Sequence, residues 1–570
     1  MLRLGHCRRA ALVCAIVAAS AGAAYADKAG CEYKDIDVAK YGNKPFQNPR
    51  EVVSKDGVLT GELVTRYTDP TTISIGGCGV RLRTYEGQLV GPTLRAKPGD
   101  VLDILLNNQL PVETPAQVAE QFEQERSNAY LSVVPASFNT TNLHTHGLHV
   151  SPTGNSDNVL LSILPQTRFP YQIKVPKNHA PGSFWYHAHT HGSTSIQVGS
   201  GMAGALILED DPAMIPPSLA AANRGEKIMV LQTILYDANG ELNQIAALFP
   251  DPASCGPPNP GTWTCSKRQV TINGLIQPVI KMKPGEVQRW RLIDSAFRES
   301  FNLRLEGHAL NEIALDGLYT GRVDVWPVGQ TIELQPGYRS DVLIQASTTP
   351  GTYRLINGAL PSTRALRGTA QPEQVIAILE ITNDPPVNMT LPTSAEMAPL
   401  GVFPGVNLKA SAIGVQQVVF KLGQDLSPQG RNYFQVNYQA FDPGHTRQVI
   451  LNNIDQWSLS TAGDPRANNG IPALPHVFHI HVNPFQMERL GPGGVPQTVW
   501  KDTVLVPPTD PVTNQPAQIN VYTQYTDYIG AFVLHCHILD HEDLGMMEVV
   551  EVISPQGAKP LQGIAAGHRH

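Results

Sequence analysis

Charge is scarce in this chain. Only 16% of its 570 residues are Asp, Glu, Lys or Arg, and acids outnumber bases by 49 to 42. With no basic excess to neutralise phosphate, nucleic acid and anionic membrane are excluded as principal partners. Aromatic residues are few, at 7%. Long apolar runs are missing as well. Nothing after residue 26 approaches the roughly 20 apolar residues of a bilayer-crossing helix. What the chain does have is punctuation: 49 Gly and 47 Pro. Spacing of this kind favours short strands and turns over long helices. The length points to several domains rather than one.

The first 26 residues read as an export signal. Arg3, Arg8 and Arg9 precede the apolar run "AALVCAIVAA", and small residues end in "AAYA" at Ala26. The run is too short for a permanent span. Arg8-Arg9 leaves the twin-arginine and general export routes both open. Lys28 stands where a lipobox before Cys31 would need an apolar residue. The expected location is periplasmic or secreted. Without the three signal arginines the chain keeps 39 basic against 49 acidic residues, a net charge of -10.

Cysteine is sparse. Of seven, Cys7 and Cys14 lie in the signal, leaving Cys31, Cys78, Cys255, Cys265 and Cys536. An oxidising compartment allows four to pair. Cys255 and Cys265 bracket the loop "CGPPNPGTWTC", which makes them natural mates and leaves Cys31 with Cys78. Cys536 is the odd one. The alternative is that all five are free buried thiols.

The chain repeats itself. "PTLRAKPGDVLDILLNN" (92–108) aligns without gaps on "PVIKMKPGEVQRWRLID" (278–294), each with alternating apolar positions around a Lys-Pro-Gly-acid turn. A second echo runs three ways: "GSFWYHAH" from Gly182, "GTYRLING" from Gly351 and "GAFVLHCH" from Gly530. Strand patterns at such periods predict three β-sandwich domains in tandem. The expected boundaries are 27–212, 225–385 and 405–556, behind the signal at 1–26. One helix is predicted in the first unit, where Thr114-Pro115-Ala116-Gln117 offers an N-cap, a first-turn proline and a capping-box Gln. The middle echo carries Ile356 and Gly358 where the outer two carry histidines, so the fold does not demand them.

Ten of the eighteen histidines gather in four stretches. They are His144 and His146; His187 and His189; His476, His479 and His481; and His535, His537 and His541. One HxH on a strand can be a solvated face, but four such stretches cannot all be. Residues i and i+2 of a strand share a face, and the residue between them faces away. In "HCH", His535 and His537 therefore look one way while Cys536 looks back into its own domain. One tripeptide can serve two metal sites and wire one to the other. A thiolate, two imidazoles and a weak axial thioether form the blue-copper electron-transfer set, and His476, Cys536, His541 and Met546 supply it. Structural zinc, the rival for Cys and His, has no use for a distant Met or eight further histidines.

The four stretches, their order and the three-unit plan resemble the three-domain multicopper oxidases, which include the laccases. The resemblance covers the mature chain. It implies an all-β fold of three tandem cupredoxin-like Greek-key sandwiches holding four coppers. His476, Cys536, His541 and Met546 would hold the type 1 copper. His144 and His479 would hold the type 2 copper. His146, His187 and His537 would hold one type 3 copper, and His189, His481 and His535 its partner. It also implies an enzyme that takes electrons singly from a small reducing substrate and reduces dioxygen to water.

That reduction consumes four protons, and carboxylates are suitable carriers. Glu542 directly follows His541, and Asp157 lies thirteen residues after His144. Both resemble the acids the family places at its trinuclear cluster and proton route. Asp540 and Asp543 are left as neighbouring or surface acids. His149 has the wrong parity for the HTH face, and His191 is read as lying beside the cluster or at the surface. His308 is read as structural, and His568 and His570 as tail residues.

Only ten methionines are present and no stretch is Met-rich. That argues against a dedicated Cu(I) oxidase and for phenols or aromatic amines as donors. Oxidation of a metal ion, Cu(I) or Fe(II), is the alternative, and copper sequestration without turnover is another of a different class. The oligomeric state is not legible in the sequence.

Overall fold

The two Lys-Pro-Gly-acid stretches form strand, turn and strand as predicted, but they do not form hairpins. Thr93–Ala96 leads into Val101–Asn108, and Val279–Met282 into Val287–Asp294. The acid closes each turn by accepting from the lysine amide, Lys97 N to Asp100 Oδ2 at 2.9 Å and Lys283 N to Glu286 Oε2 at 2.7 Å. Gly99 and Gly285 sit at φ +94° and +74°, the third position of a type II turn. Two-residue hairpins need positive φ at the position that proline holds near −65°. The turn is instead an arch from one sheet to the facing one. Thr93–Ala96 pairs with Glu51–Val53 and Ala203–Leu208, while Val101–Asn108 pairs with Val58–Tyr67 and Thr167–Lys174.

The computed structural model describes residues 31, 36–119, 137–237, 239–243, 270–366, 370–403, 405–424, 432–465, 471–509 and 515–555. Within these the chain forms three tandem cupredoxin-like β-sandwiches, the all-β fold expected. One sheet recurs in all three with the same strand order. In the first it runs Thr93–Ala96, Ala203–Leu208, Gly182–His187, His144–His146. In the middle it runs Val279–Met282, Gln374–Ile381, Gly351–Asn357, Phe301–Leu305. In the last it runs Thr446–Ile450, Met547–Ile553, Gly530–Cys536, His476–Ile480. The echoed segments at Gly182, Gly351 and Gly530 are thus the same strand of each sandwich.

Each sandwich closes over its own apolar core. Tyr85, Tyr171 and Phe184 anchor the first, Trp290 and Phe301 the middle, and Trp457, Phe478 and Phe485 the last. Full burial of such a side chain contributes about 1.5–3 kcal/mol. The predicted helix begins as expected: residues 115–119 are helical, and Gln117 N donates to Thr114 Oγ1 at 3.2 Å while Gln117 Oε1 accepts from Thr114 N at 2.9 Å. The remainder of that helix, the export signal, Cys255, Cys265, His568 and His570 lie outside the described residues. No described helix is long and apolar enough to cross a membrane. Cys31 and Cys78 are fully buried with Cα atoms 4.5 Å apart and sulfurs at bonding distance.

Polar groups join the sandwiches. The first and middle meet at Gly182, where an added Cβ would lie 1.7 Å from Gly317 O; only glycine permits that backbone approach. Glu226 bridges Arg95 of the first sandwich, at 2.6 Å, and Arg291 of the middle one, at 2.7 Å. The first and last meet where Asp543 accepts from the amides of Gly192, Thr194 and Ser195 at 2.7–3.1 Å, capping the buried helix Thr194–Gly199. These joints bring the outer two histidine-bearing sheets together.

Candidate metal centres

Strand register builds the site. Antiparallel pairing sets His187 opposite His144 in the first sandwich. In the last it sets His535 opposite His479 and Cys536 opposite Phe478. Alternation along Gly530–Cys536 then does what the sequence predicts. Cys536 belongs to the core of the last sandwich with Phe478 and Met546, whereas His535 and His537 face histidines of the first.

On the Cys536 side, Sγ lies 3.5 Å from His476 Nδ1 and 3.8 Å from His541 Nδ1, and the two Nδ1 atoms are 3.2 Å apart. Met546 is fully buried beside them; its amide donates to His541 O, and its carbonyl accepts from Cys536 N at 3.0 Å. Burial pushes the thiol up to about 12, so a metal that takes the thiolate must displace a proton. Burial holds His476 down to about 3, leaving that imidazole neutral with a lone pair to give.

On the other side, eight histidines from four stretches converge, none more than 2% exposed. Nε2 of His189, His481 and His535 meet, His535 lying 3.1 Å from His189 and 3.4 Å from His481. His537 Nε2 lies 3.3 Å from His146 Nδ1, and the His187 ring is 5.7 Å from that of His537. His144 stands between groups, with donor atoms within 4.8 Å of His479 and His481 on one side and of His146 and His187 on the other.

The ring nitrogens turned away from this centre are held. His144 Nδ1 lies 3.1 Å from both oxygens of Asp157. His187 Nδ1 lies 2.8 Å from Ala188 O, and His479 Nδ1 2.8 Å from Asp502 O. His146 is reversed, with Nε2 3.2 Å from Asp502 Oδ1. Such contacts fix the tautomer and aim the free nitrogen. The Nε2 atoms of His144, His187 and His479 are buried with no partner in the protein. Burial pushes all eight below the usual imidazole range, to about 3 for His187 and about 4 for His479. Neutral, aimed, unsatisfied imidazole nitrogens beside a buried thiol fit soft or borderline metal ions, copper foremost.

Glu542 enters the same space. Its Oε1 lies 3.4 Å from His189 Nδ1 and its Oε2 3.1 Å from His535 Nδ1, while Thr194 Oγ1 donates to Oε1 at 3.2 Å. Burial, then the neighbouring Asp543, drives this carboxyl well above its usual range. Burial raises Asp157 to about 7. Both acids singled out in the sequence thus reach cluster histidines.

Other residues settle readings left open or escaped the sequence. Of the two readings for Asp540 and Asp543, neighbouring or surface acids, the structure takes the first, since both are fully buried: Asp543 caps the helix described above, and Asp540 Oδ2 lies 3.0 Å from Arg298 Nη1. Arg298 comes from the middle sandwich, and its Nη2 lies 3.2 Å from His541 Nε2. Asp502 and Arg339 were also missed. They carry no ligand spacing, and only the pairing of His479 with Thr503 brings Asp502 to the cluster. His149 spans from the first sandwich to Val482 O and Asp527, and His308 packs on Tyr353. His191 packs on Phe441, with neither ring nitrogen partnered.

Comparison with known proteins agrees with this geometry. Family models described as multicopper oxidase match residues 123–213, 252–382 and 410–556. The chain is 24% identical over 474 residues to the multicopper oxidase mco of Staphylococcus epidermidis, covering 82% of this chain and 83% of that one. It is 23% identical over 515 residues to a laccase of Bacillus subtilis, covering 83% and 91%. Among solved structures it is similar to a Campylobacter jejuni multicopper oxidase described as a metallo-oxidase, with TM-score 0.67, 21% identity and coverage of 91% and 98%. A laccase-like oxidase of Ochrobactrum, with activity toward lignin model compounds, gives TM-score 0.63 at 18% identity, covering 89% and 100%. With three matched segments spanning most of the chain and a thiol-imidazole centre beside eight converging histidines, this protein belongs to the multicopper oxidases.

Proposed function

We propose that the chain is an exported, laccase-like oxidase that couples one-electron oxidation of phenols or aromatic amines to reduction of dioxygen to water. The observation that carries this reading is the opposed orientation of Cys536 and its two flanking histidines. His476, Cys536, His541 and Met546 are the ligands for a type 1 copper. His144 and His479 are those for a type 2 copper. His146, His187 and His537 take one type 3 copper, and His189, His481 and His535 the other. When bound, copper supplies the one-electron steps at the first site and the four-electron reduction of dioxygen at the second.

The chain's own residues supply the rest. Cys536 is covalently continuous with both His535 and His537, which gives electrons a through-bond path between the sites. Asp157 orients His144 through Nδ1. Glu542, buried with its carboxyl oxygens 3.4 Å from His189 Nδ1 and 3.1 Å from His535 Nδ1, is placed to pass protons to the cluster. For each dioxygen, four donors give four electrons and four protons are consumed, so two waters form and four oxidised donors leave.

Arg298 bears on donor choice. Its guanidinium lies against the His541 nitrogen turned away from the thiol. That positive charge opposes a cationic donor, although Asp540 offsets part of it. The scarcity of methionine points the same way. Oxidation of Cu(I) or Fe(II) is the second reading, favoured by the likeness to the Campylobacter metallo-oxidase. The test is oxygen uptake by copper-loaded protein with a dimethoxyphenol, Cu(I) and Fe(II) in parallel. Fastest uptake with the phenol supports the proposal, and fastest uptake with a metal ion supports the second reading. Blue protein without uptake makes it a copper-sequestering protein.

The proposed organisation is a signal at 1–26 and domains at 27–212, 225–385 and 405–556. Export to the periplasm or medium accords with pairing of Cys31 and Cys78 as a disulfide. Closing a loop of 47 residues stabilises the fold by about 4 kcal/mol in the chain-entropy account. Thermal melts with and without a reductant are expected to show a lower midpoint in the reductant, and Cys31→Ala is expected to remove the part of that difference that the Cys31–Cys78 bond supplies, leaving only what the Cys255–Cys265 pair contributes.

A further inference from the structure

The middle sandwich gives no histidine to either centre, yet one of its turns closes against the eight-histidine cluster. The turn is "QPGYR", residues 335–339. Arg339 is fully buried. Its guanidinium forks onto Asp502, Nη1 donating to Oδ1 at 2.8 Å and Nη2 to Oδ2 at 2.5 Å. Its other donors go to Gly337 O, Asp316 O and Ser183 O at 3.0, 2.7 and 3.3 Å. All five N–H groups are used, which locks the plane of the fork. Lys501 and Asp316, joined at 2.9 Å, complete a buried group of two cations and two anions.

Asp502 is where this frame meets the cluster. Its Oδ1 lies 3.2 Å from His146 Nε2 and accepts from Thr503 Oγ1 at 2.7 Å, and its main-chain oxygen lies 2.8 Å from His479 Nδ1. The donor atoms of His146, His479 and Asp502 are close enough to hold an ion themselves. The Arg339 charge on both carboxylate oxygens opposes that use, so the aspartate anchors the two imidazoles instead. His146 presents Nδ1 to the cluster where its neighbours present Nε2, and the carboxylate on Nε2 accounts for that reversal. Gly337 supplies the second restraint. At φ +89° it carries no side chain, and an added Cβ would lie 3.1 Å from His146 Cε1 and 3.1 Å from His537 Cδ2 and Nε2.

We propose that this turn is a positioning element for the trinuclear centre: Arg339 fixes Asp502, Asp502 fixes His146 and His479, and Gly337 sets the depth of His146 and His537. The inference rests on reading the eight histidines as that centre. It gives the middle sandwich a function beyond spacing the other two.

The test uses the full copper-loaded chain and Arg339→Lys, Arg339→Gln and Gly337→Ala. Copper content, the type 2 EPR spectrum and the near-ultraviolet shoulder of the coupled pair are read against the blue absorbance of the same sample. The blue centre lies wholly in the last sandwich and serves as the folding control. Expected is unchanged blue absorbance with an altered type 2 hyperfine pattern and loss of the shoulder in Arg339→Gln and Gly337→Ala. Arg339→Lys, which keeps the charge and loses the fork, should fall between them and the parent, and it covers the case in which Arg339→Gln does not fold. Parental type 2 and near-ultraviolet signals in Arg339→Gln, or in Arg339→Lys should it be the one that folds, together with Gly337→Ala would overturn the positioning role while leaving the centre itself intact. A parent that binds copper without any type 2 signal would overturn the reading beneath it.

Discussion

Cys536→Ser is expected to lose the intense blue colour entirely and to drop donor oxidation to background, while copper at the histidine cluster is largely retained. The reasoning is local. Sγ lies 3.5 and 3.8 Å from the two imidazole nitrogens that share its centre. A thiolate suits copper and gives the strong colour of such sites; a serine hydroxyl does not ionise near neutral pH and is a poor ligand. The same atom begins the covalent route to His535 and His537, so both collection and transfer of electrons fail together. Burying a hydroxyl in place of the thiol costs about 1–3 kcal/mol, against a typical domain stability of about 5–15 kcal/mol, so the variant should fold. Visible absorption, copper content and donor-dependent oxygen uptake measure the three parts. Blue colour gone with uptake near normal would mean that electrons reach the cluster by another road.

Glu542→Gln has the second largest expected effect, of opposite character. Glutamine keeps the shape and the contact with Thr194 but cannot carry an acid proton. The blue centre should stay intact, and its reduction by donor should be as fast as in the parent. Reoxidation by dioxygen should slow by about 10²–10⁴-fold, the usual contribution of a positioned general acid or base. Stopped-flow mixing of the fully reduced protein with oxygen separates the two halves. Glu542→Asp, which retains the carboxyl at a shorter reach, should recover part of the rate. Equal reoxidation rates in Glu542→Gln and parent would remove Glu542 from the proton route.

Much of the site could be read from the sequence because its rule is one-dimensional. Alternation in "HAH" and "HCH" needs only the strand period, and the middle echo, with Ile356 and Gly358, shows which histidines are there for chemistry. Ligand type then separates Cys536, His476, His541 and Met546 from the eight other histidines. Asp157 and Glu542 were reachable because their positions relative to His144 and His541 resemble those of the acids that the multicopper oxidases place at the cluster.

What was not legible depends on elements meeting across the molecule. Asp502 reaches His146 only because the strand Thr503–Val506 pairs with His476–Ile480. Arg339 and Arg298 come from a unit with no ligand, and nothing in their own neighbourhoods marks them. Asp543 looked like one acid among several in "DHED"; its role depends on a buried helix start 348 residues away in sequence. The arches at Lys97–Asp100 and Lys283–Glu286 are a different case. Strand, turn and strand were legible there, but which sheet each flanking strand joins is set by the packing of the whole sandwich.

The most direct test is an anomalous-scattering map at the copper edge from crystals of the copper-loaded protein. The account requires four peaks. One lies on Cys536 Sγ, His476 and His541 inside the last sandwich, and three are grouped among histidines from both outer sandwiches, with His535 and His537 on the far side of the strand from the sulfur. A single peak shared by His535, Cys536 and His537, or an absence of peaks between the outer sandwiches, would contradict it.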